Sequence, residues 1–235
     1  MEKKLVVAVD GPAGTGKSTV CKLCAKRTGY TYLDTGALYR AVAYKVIQSN
    51  LTCDDEVALS RLLSETEIEI VKDPPGMRVL VDGSDVTEKI RSESVGMTAS
   101  RVSAIPLVRA GLLEIQRNAG KEGGIIAEGR DMGTVVFFDA DIKIFLDADP
   151  AERALRRYRE LTGRGEHVEY AKIKEDISVR DEQDATRAIA PLKPARDAII
   201  IDTTSLGIDD VVEKIQLIVD QRGKNVSVES VAGKE

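Results

Sequence analysis

The sequence is poor in the residues on which many enzymes base covalent or metal chemistry. Its 235 residues include one histidine, three cysteines and no tryptophan. The histidine, His167, lies in a polar run typical of a protein surface, and no second Cys-x-x-Cys pair accompanies Cys21 and Cys24. A disulfide framework, a zinc site and a histidine- or cysteine-based catalytic centre are therefore disfavoured. We expect Cys21 and Cys24 to pack on the apolar face of a helix.

Strong net charge and long apolar runs are absent as well. The net charge is −5, which gives no overall basic field toward nucleic acid or an anionic membrane. No apolar stretch approaches the roughly 20 residues of a membrane span, and the first apolar run ends at Asp10, too early for a signal peptide. We therefore expect a soluble cytoplasmic protein without a nucleic-acid or membrane partner. Since no long exposed apolar stripe stands out, we also expect a monomer.

What the sequence does contain is an alternation of short apolar strands and helical segments. Continuous apolar runs predict buried strands at 5–9, 30–34, 124–127, 142–148 and 198–202. Helical patterns lie between and after them at 17–28, 36–48, 103–119, 150–162, 169–183 and 208–221. This alternation is typical of an α/β fold in which helices flank a parallel five-stranded sheet. The polar, small-residue tail at 223–235 is expected to be disordered.

One stretch departs from this alternation. Segments 67–71 and 78–83 alternate between apolar and polar residues, and Pro74-Pro75-Gly76 provides a turn between them. The pattern predicts a small antiparallel sheet within an insert at 64–95 that projects from the core. The core itself would then comprise 1–63 and 96–222.

The most specific motif is a glycine-rich loop between the first predicted strand and the first predicted helix. Residues Gly11-Pro12-Ala13-Gly14-Thr15-Gly16-Lys17-Ser18 match the pattern G-x-x-x-x-G-K-[ST]. In this context the backbone N–H groups and the helix N-terminus bind phosphates. Lys17 reaches the β- and γ-phosphates, and the Ser18 hydroxyl can ligate Mg²⁺. The loop, with the adjoining Thr19, therefore predicts a nucleoside triphosphate site.

Other residues separate the classes of P-loop protein. The chain lacks the N-K-x-D motif of GTPases, and Ala148 follows Asp147 where a motor ATPase needs a second acid. Arginines instead follow predicted strands or lie on predicted helices: Arg40, Arg130, Arg180 with Arg187, and a group at 153–164. Because the planar guanidinium matches phosphate geometry, these arginines favour an enzyme that holds the phosphates of two substrates together.

Each group also has an ordinary structural interpretation. Thr35 is a candidate helix cap as well as a phosphate contact. Arg180, Asp184 and Arg187 recur at i, i+4 and i+7, so we expect them to share one helix face, where internal ion pairing is the alternative. The arginine-rich helix is either a charged surface helix or a mobile helical lid at about 151–168 that closes over the transferring group.

Three charged residues follow directly on the predicted strand at 124–127. Burying Glu128, Arg130 and Asp131 without partners would cost several kcal/mol each. They pair either with one another or with a ligand, and we favour a ligand because parallel sheets bind ligands at the carboxyl ends of their strands.

Together these motifs resemble those of bacterial-type cytidylate kinases, within the nucleoside monophosphate kinases. The resemblance rests on GPAGTGKST at 11–19, DTGALYR at 34–40, EGRDMGTVVF at 128–137, and the spaced R-D-x-x-D-x-x-R with AIAPL at 180–192. It extends over about 4–220 and includes the insert. It implies an adenylate-kinase-like fold and transfer of phosphate from ATP to CMP or dCMP with Mg²⁺.

The resemblance also implies which arginines act on phosphate. Arg40, Arg130 and Arg187 would hold the α-phosphate of the acceptor. One of Arg156 and Arg157 would stabilise the transition state from the lid.

For the nucleoside, the resemblance implies that Ser100, Arg109 and Asp131 read the cytosine edge. Asp131 can accept a hydrogen bond from N4, and Arg109 can donate one to N3 or O2. Asp184, with Arg180 nearby, would contact the ribose.

The chain departs from the family pattern at two positions. Thr35 stands where a serine is familiar, and Glu128 stands where an aspartate is expected. Two alternatives remain open: a kinase for another small acceptor such as UMP or shikimate, and a non-catalytic ATP-binding module.

Overall fold

The structure, a computed structural model, describes residues 4–232, with side chains up to residue 224. Its strands are β1 Val6–Asp10, β2 Thr31–Asp34, β3 Ile68–Asp73, β4 Gly76–Val81, β5 Ser84–Asp85, β6 Ile125–Gly129, β7 Ile142–Asp147 and β8 Ile199–Asp202. Its α-helices are α1 Lys17–Thr28, α2 Thr35–Gln48, α3 Glu56–Glu65, α4 Glu93–Val102, α5 Pro106–Gly120, α6 Pro150–Gly163, α7 Tyr170–Thr186 and α8 Ile208–Ala232. A 3₁₀ turn at Lys89–Arg91 and a π-helical turn at Met132–Val136 are also present.

The predicted parallel sheet is confirmed. Its five strands are ordered β2-β6-β1-β7-β8, and each neighbouring pair is parallel. The register aligns Asp10 of β1 with Gly129 of β6, and Asp34 of β2 with Glu128. Polar residues from three strands therefore meet at the carboxyl edge of the sheet, where ligands bind in folds of this kind.

Helices bury both faces of this sheet. Val7 and Val9 pack in a core with α1 and α8, whereas Ala8 faces the opposite side, toward α5 and the π-helical turn. Because successive side chains point to opposite faces, a strand that is buried on both reads as a continuous apolar run. Cys21 and Cys24 are fully buried in the first of these cores, as predicted.

The insert forms an antiparallel sheet of three strands, β3-β4-β5. Val79, Val81 and Ile90 share one hydrophobic core with residues of α2 to α5, so the sheet packs on these helices and does not project freely. The helices α3 and α4, which border the insert and are only 10 residues long each, were not predicted from the sequence. The boundaries at 64 and 95 stay a prediction.

The predicted lid corresponds to α6 and the connection that follows it. Ala154 and Leu161 of α6 pack on Ile173 and Ile177 of α7, in a cluster separate from the sheet cores. The helices α6 and α7 thus form a unit with its own small core, called the lid unit below. That the lid closes over the site stays a prediction.

The C-terminal helix is longer than expected. The sequence predicts a helix to residue 221 and disorder from residue 223, whereas α8 continues to Ala232. Disorder of the tail stays a prediction. A glycine such as Gly223 costs a helix interior only about 1 kcal/mol and does not by itself end the helix. Positions 233–235 lie outside the described residues. Across residues 4–232, no helix combines the length and apolarity needed to cross a bilayer.

Candidate active site

The glycine-rich loop lies between the carboxyl end of β1 and the start of α1, as the motif predicts. Gly11 has a φ of 147°, and a Cβ there would lie 2.0 Å from the carbonyl oxygen of Leu146, so only glycine fits. Gly16 precedes α1 in the left-handed conformation, and no side chain among the described residues caps the helix. The first N–H groups of α1 are therefore available to phosphate oxygens.

Lys17 is buried beneath this loop. Its Nζ donates to the carbonyl oxygen of Pro12 at 2.5 Å and to Oγ1 of Thr15 at 3.2 Å. Burial lowers the pKa of Lys17, and the nearby Arg130 lowers it further, whereas Glu128 opposes the shift. Binding of an anionic phosphate would restore its preference for the charged form.

Glu128 is paired with neither Arg130 nor Asp131. Its Oε1 accepts a hydrogen bond from Ser18 Oγ at 2.6 Å and a second one from the hydroxyl of Tyr32. Its Oε2 is buried and has no hydrogen-bond partner among the described residues. Burial raises the pKa of Glu128, and Asp34 adds to the shift. This carboxylate therefore lies against the predicted magnesium ligand, and Tyr32, which holds it there, gave no signal in the sequence.

Arg130 and Asp131 have partners on α5, on α7 and in the loop after α7. Arg130 Nε donates to Asp184 Oδ2 at 2.8 Å. Asp131 is paired with Arg109 of α5 and, at 3.4 Å, with Arg187. The structure thus brings together five predicted site residues that are widely separated in sequence.

Arg109 is held on two further sides. Its guanidinium lies 5.4 Å above the ring of Tyr39 and donates to the carbonyl oxygen of Ser103 at 3.0 Å. Ser100 donates to Gln183 Oε1 at 2.9 Å, between α4 and α7. Tyr39, Ser103 and Gln183 were missed because nothing in their sequence neighbourhoods indicates these distant contacts.

The start of α2 differs from the prediction. Asp34, not Thr35, caps the helix by accepting a hydrogen bond from the N–H of Ala37 at 3.1 Å. Thr35 Oγ1 instead donates to the carbonyl oxygen of Glu128 at 2.8 Å. A phosphate contact of Thr35 stays a prediction and would require exchange of that bond. Arg40 donates to the carbonyl oxygens of Ile90 and Ser92.

The expected shared helix face includes Arg180 and Asp184 but not Arg187. The helix α7 ends at Thr186, and Arg187 follows with φ −58° and ψ 138°. Its Nε donates to the carbonyl oxygen of Ala190 at 2.6 Å. The loop after the helix therefore positions Arg187, which also pairs with Asp184 at 3.7 Å.

The two candidate lid arginines have different partners. Arg156 Nη2 donates to the carbonyl oxygens of Thr203 and Thr204, at 2.6 and 3.2 Å. Arg157 pairs with Glu93 of α4 at 2.6 Å. Arg180 pairs with the other oxygen of the same carboxylate. Glu93, which the sequence analysis missed, thus joins α4 to both helices of the lid unit.

Arg153 shows that α6 is not simply a charged surface helix. Its side chain is 5% exposed, pairs with Asp181 at 2.5 Å, and donates to the carbonyl oxygen of Ala13 at 3.1 Å. A Cβ on Gly14 would lie 2.8 Å from the Arg153 carbonyl oxygen. The lid unit is therefore packed directly against the phosphate-binding loop.

A cleft of about 1250 Å³ lies between the glycine-rich loop, the end of the insert at Arg91 and Glu93, and the lid unit. Its walls bring together the loop, the predicted magnesium ligand Ser18, and Arg180, which was predicted near the ribose. They also include most of the residues predicted to act on phosphate: Lys17, Arg40, Arg130, Arg156 and Arg157. Three predicted base and ribose ligands, Arg109, Asp131 and Asp184, form a separate buried group with Arg187, which was predicted to bind phosphate. Arg130 joins this group to the cleft through Asp184. Ser100 is partly exposed and is bonded to Gln183.

This arrangement defines a class of protein. A phosphate-binding loop shares one cleft with Arg130, directly after β6, and with arginines from α2, α6 and α7, as expected of a P-loop kinase that joins two phosphorylated substrates. The family model for cytidylate kinase matches residues 7–221. The chain therefore belongs to the cytidylate kinase family, which confirms the resemblance drawn from its motifs, and it is a kinase.

Individual relatives agree with this assignment. The chain is 47% identical to a cytidylate kinase of Carboxydothermus hydrogenoformans over 216 residues, which cover 92% of this chain and 97% of the relative. It is 44% identical to the cytidylate kinase of Bacillus subtilis, over 95% of this chain and 100% of the relative. A gluconokinase from Sinorhizobium meliloti 1021 superposes with a TM-score of 0.51 at 12% identity, over 98% and 99% of the two chains. That likeness concerns the fold alone.

Proposed function

We propose that this protein transfers the γ-phosphoryl group of ATP to CMP or dCMP, giving ADP and CDP or dCDP. The observation that carries the proposal is the position of Arg130. It lines the cleft with Lys17, and its Nε is bonded to Asp184 in the buried group that includes Asp131. One residue thus connects the phosphate-binding side with side chains suited to a cytosine edge, in a member of the cytidylate kinase family.

On the donor side, Lys17 and the N–H groups at the start of α1 would bind the phosphates of ATP. Of the two lid arginines, we assign transition-state stabilisation to Arg157. Its partner Glu93 lies across the cleft, whereas Arg156 is engaged with the backbone of Thr203 and Thr204.

On the acceptor side, Arg40, Arg130 and Arg187 would hold the α-phosphate. Arg40 and Arg130 line the cleft. Arg187 is 4% exposed beside Asp131, so its part requires the acceptor to enter the buried group.

The same entry would bring the base to Asp131 and Arg109, with Ser100 nearby, and the ribose to Asp184 and Arg180. Cytosine presents a donor at N4 to the carboxylate and acceptors at N3 and O2 to the guanidinium. Uracil presents an acceptor at O4 and a donor at N3. Its O4 would therefore face the carboxylate, another acceptor, and its N3–H would face the guanidinium, another donor. Each buried mismatch costs about 1–3 kcal/mol, so UMP should be the poorer acceptor.

The chemistry requires little beyond positioning and charge neutralisation. Phosphoryl transfer passes through a loose transition state whose charge lies on the phosphate oxygens. The attacking oxygen of the acceptor phosphate is already anionic, so no general base is needed. This agrees with a site made of lysine and arginine in a chain with one histidine.

The residues around Ser18 suit Mg²⁺. Hydroxyl and carboxylate oxygens are ligands that Mg²⁺ prefers, and the buried Oε2 of Glu128 has no hydrogen-bond partner among the described residues. Ser18 would hold the ion directly, and Glu128 would orient its bound waters or ligate it. When bound, Mg²⁺ would neutralise charge that develops on the transferred phosphoryl group.

A coupled ADP-release assay with a panel of acceptors tests this proposal. ADP formation should be fastest with CMP and dCMP, slower with UMP, absent with shikimate, and lost when EDTA removes Mg²⁺. The variant Arg130→Met should reduce turnover of every nucleotide acceptor. ATP binding without acceptor-stimulated ADP release would instead indicate a non-catalytic module, and preference for UMP would overturn the acceptor assignment.

We also propose that the protein acts in cytoplasmic pyrimidine nucleotide metabolism as a monomer, with no nucleic-acid or membrane partner. The net charge of −5 and the low number of cysteines support this setting. Sedimentation of the purified chain with and without ATP tests the oligomeric state.

A further inference from the structure

Asp10, the last residue of β1, lies directly before the glycine-rich loop and is 3% exposed. Its carboxylate accepts two hydrogen bonds, one at each oxygen. Oδ1 accepts a hydrogen bond from the backbone N–H of Met132 at 2.8 Å, and Oδ2 accepts one from the N–H of Gly133, also at 2.8 Å. The side chain thus reaches from the central strand to the chain that follows β6.

The two N–H groups belong to the π-helical turn at Met132–Val136. This turn directly follows Arg130 and Asp131, which carry the proposed contacts to acceptor phosphate and base. Hydrogen bonds to an ionised acceptor are stronger than those between neutral groups. A carboxylate that binds consecutive N–H groups with separate oxygens therefore fixes both the position and the direction of the turn.

We propose that Asp10 is a positioning residue for the acceptor site, an inference that rests on the proposed function. It acts through the backbone of Met132 and Gly133 and thereby places Arg130 and Asp131 relative to the phosphate-binding loop. Within the described residues its side-chain hydrogen bonds go to this turn and not to the loop. Loss of the Asp10 carboxylate should therefore reduce the use of CMP more than the binding of ATP. This holds even though Asp10 directly precedes Gly11, the first residue of the phosphate-binding loop.

Asp10→Asn tests this role because it keeps the shape of the side chain and replaces one accepting oxygen by a donor that opposes an N–H. We expect kcat/KM for CMP to fall about 10-fold or more. The preference for CMP over UMP should narrow, and the KM for ATP should change less than about 2-fold. The matched control is Val9→Ala, a buried neighbour in β1 that packs in the α1 and α8 core. This control should destabilise the protein without a selective effect on the acceptor.

Two results would overturn the role. One is an equal rise in the KM for CMP and for ATP in Asp10→Asn. The other is a loss of CMP activity that Val9→Ala reproduces at matched stability, which would leave Asp10 a general fold-stabilising residue.

A measurement on the unmodified protein covers the case in which Asp10→Asn does not fold. In ¹H–¹⁵N spectra, the amides of Met132 and Gly133 should be protected from hydrogen exchange, whereas free exchange would contradict their hydrogen bonds to Asp10. The exchange measurement needs no acceptor, so its outcome is independent of which nucleotide the protein phosphorylates. Failure of the proposed function would appear instead as an unmodified protein that does not phosphorylate CMP.

Discussion

Arg109 of α5 donates to the carboxylate of Asp131, and the side chains of both residues are almost fully buried, at 8% and 3% exposed. Arg187 approaches the other oxygen of that carboxylate at 3.4 Å. A buried charge of one sign is costly unless charges of the other sign surround it. The three side chains should therefore respond as a unit when any one of them is changed.

For this reason Asp131→Asn tests base recognition better than Asp131→Ala. The alanine variant would leave two guanidinium groups without their shared partner and should lower the free energy of unfolding by about 3–5 kcal/mol. The asparagine variant keeps the shape but loses the full acceptor charge. We expect kcat/KM for CMP to fall about 10-fold or more, with a smaller effect on UMP and on the KM for ATP. Steady-state kinetics with CMP and UMP measure this, and an equal loss for both acceptors would refute base reading.

The lid arginines provide a second test, in which one residue serves as the control for the other. Arg157→Met should lower kcat by about 100-fold or more while the KM for CMP changes little, because the interaction forms in the transition state. Arg156→Met should mainly lower thermal stability, since Arg156 is bonded to the carbonyl oxygens of Thr203 and Thr204. Kinetics and thermal melts on both variants distinguish the roles, and the reverse outcome would reassign the catalytic arginine to Arg156.

Glu93 should compete with phosphate for arginine. Its carboxylate pairs with Arg157 at 2.6 Å and also with Arg180, and both arginines line the cleft. Glu93→Gln removes the negative charge and frees Arg157 for the transition state, so kcat should rise by about 2- to 5-fold while the KM for CMP changes little, in line with the modest free energy of partly exposed ion pairs. Glu160→Gln is the control, because Glu160 pairs with Arg157 but not with Arg180. A lower kcat in Glu93→Gln would show that the carboxylate orients these arginines and does not compete for them.

Asp10 should give the stability of the protein a distinct pH dependence. Burial raises the pKa of this carboxyl from 3.8 to about 6, against the effect of the backbone N–H groups of Gly133 and Met132. The folded state therefore holds the proton more tightly than the unfolded state does. The contribution of the group to the free energy of unfolding is full below about pH 4 and is lost as the pH rises through about 6.

Urea denaturation of the unmodified protein and of Asp10→Asn between pH 4 and 7 measures this effect, because asparagine does not titrate. The difference in unfolding free energy, unmodified minus variant, should decrease by on the order of 2 kcal/mol over this range. A difference that stays constant with pH would mean that the pKa of Asp10 is not raised.

Parts of this protein could be predicted because their signals are local. The strands of the parallel sheet appear as apolar runs, and the glycine-rich loop carries its function in consecutive residues. The short helix α4, which supplies Glu93, was missed. The cap at Asp34 was assigned to Thr35, because adjacent polar residues at the start of a helix both suit that role. The helix face through Arg180 and Asp184 was extended to Arg187, since periodicity alone does not show where a helix stops.

The sequence by itself determined the fold class, the family and the phosphate-binding loop, since each is specified by residue type and spacing along the chain. Only the tertiary structure decided the partners of the buried charges. It paired Arg109 with Asp131, Arg130 with Asp184, and Glu128 with Ser18 and Tyr32. The physical reason is that a buried charge is stabilised by whichever opposite charge or hydrogen-bond donor the fold brings within about 3 Å. The contacts that join these pairs span between 22 and 110 residues of the chain.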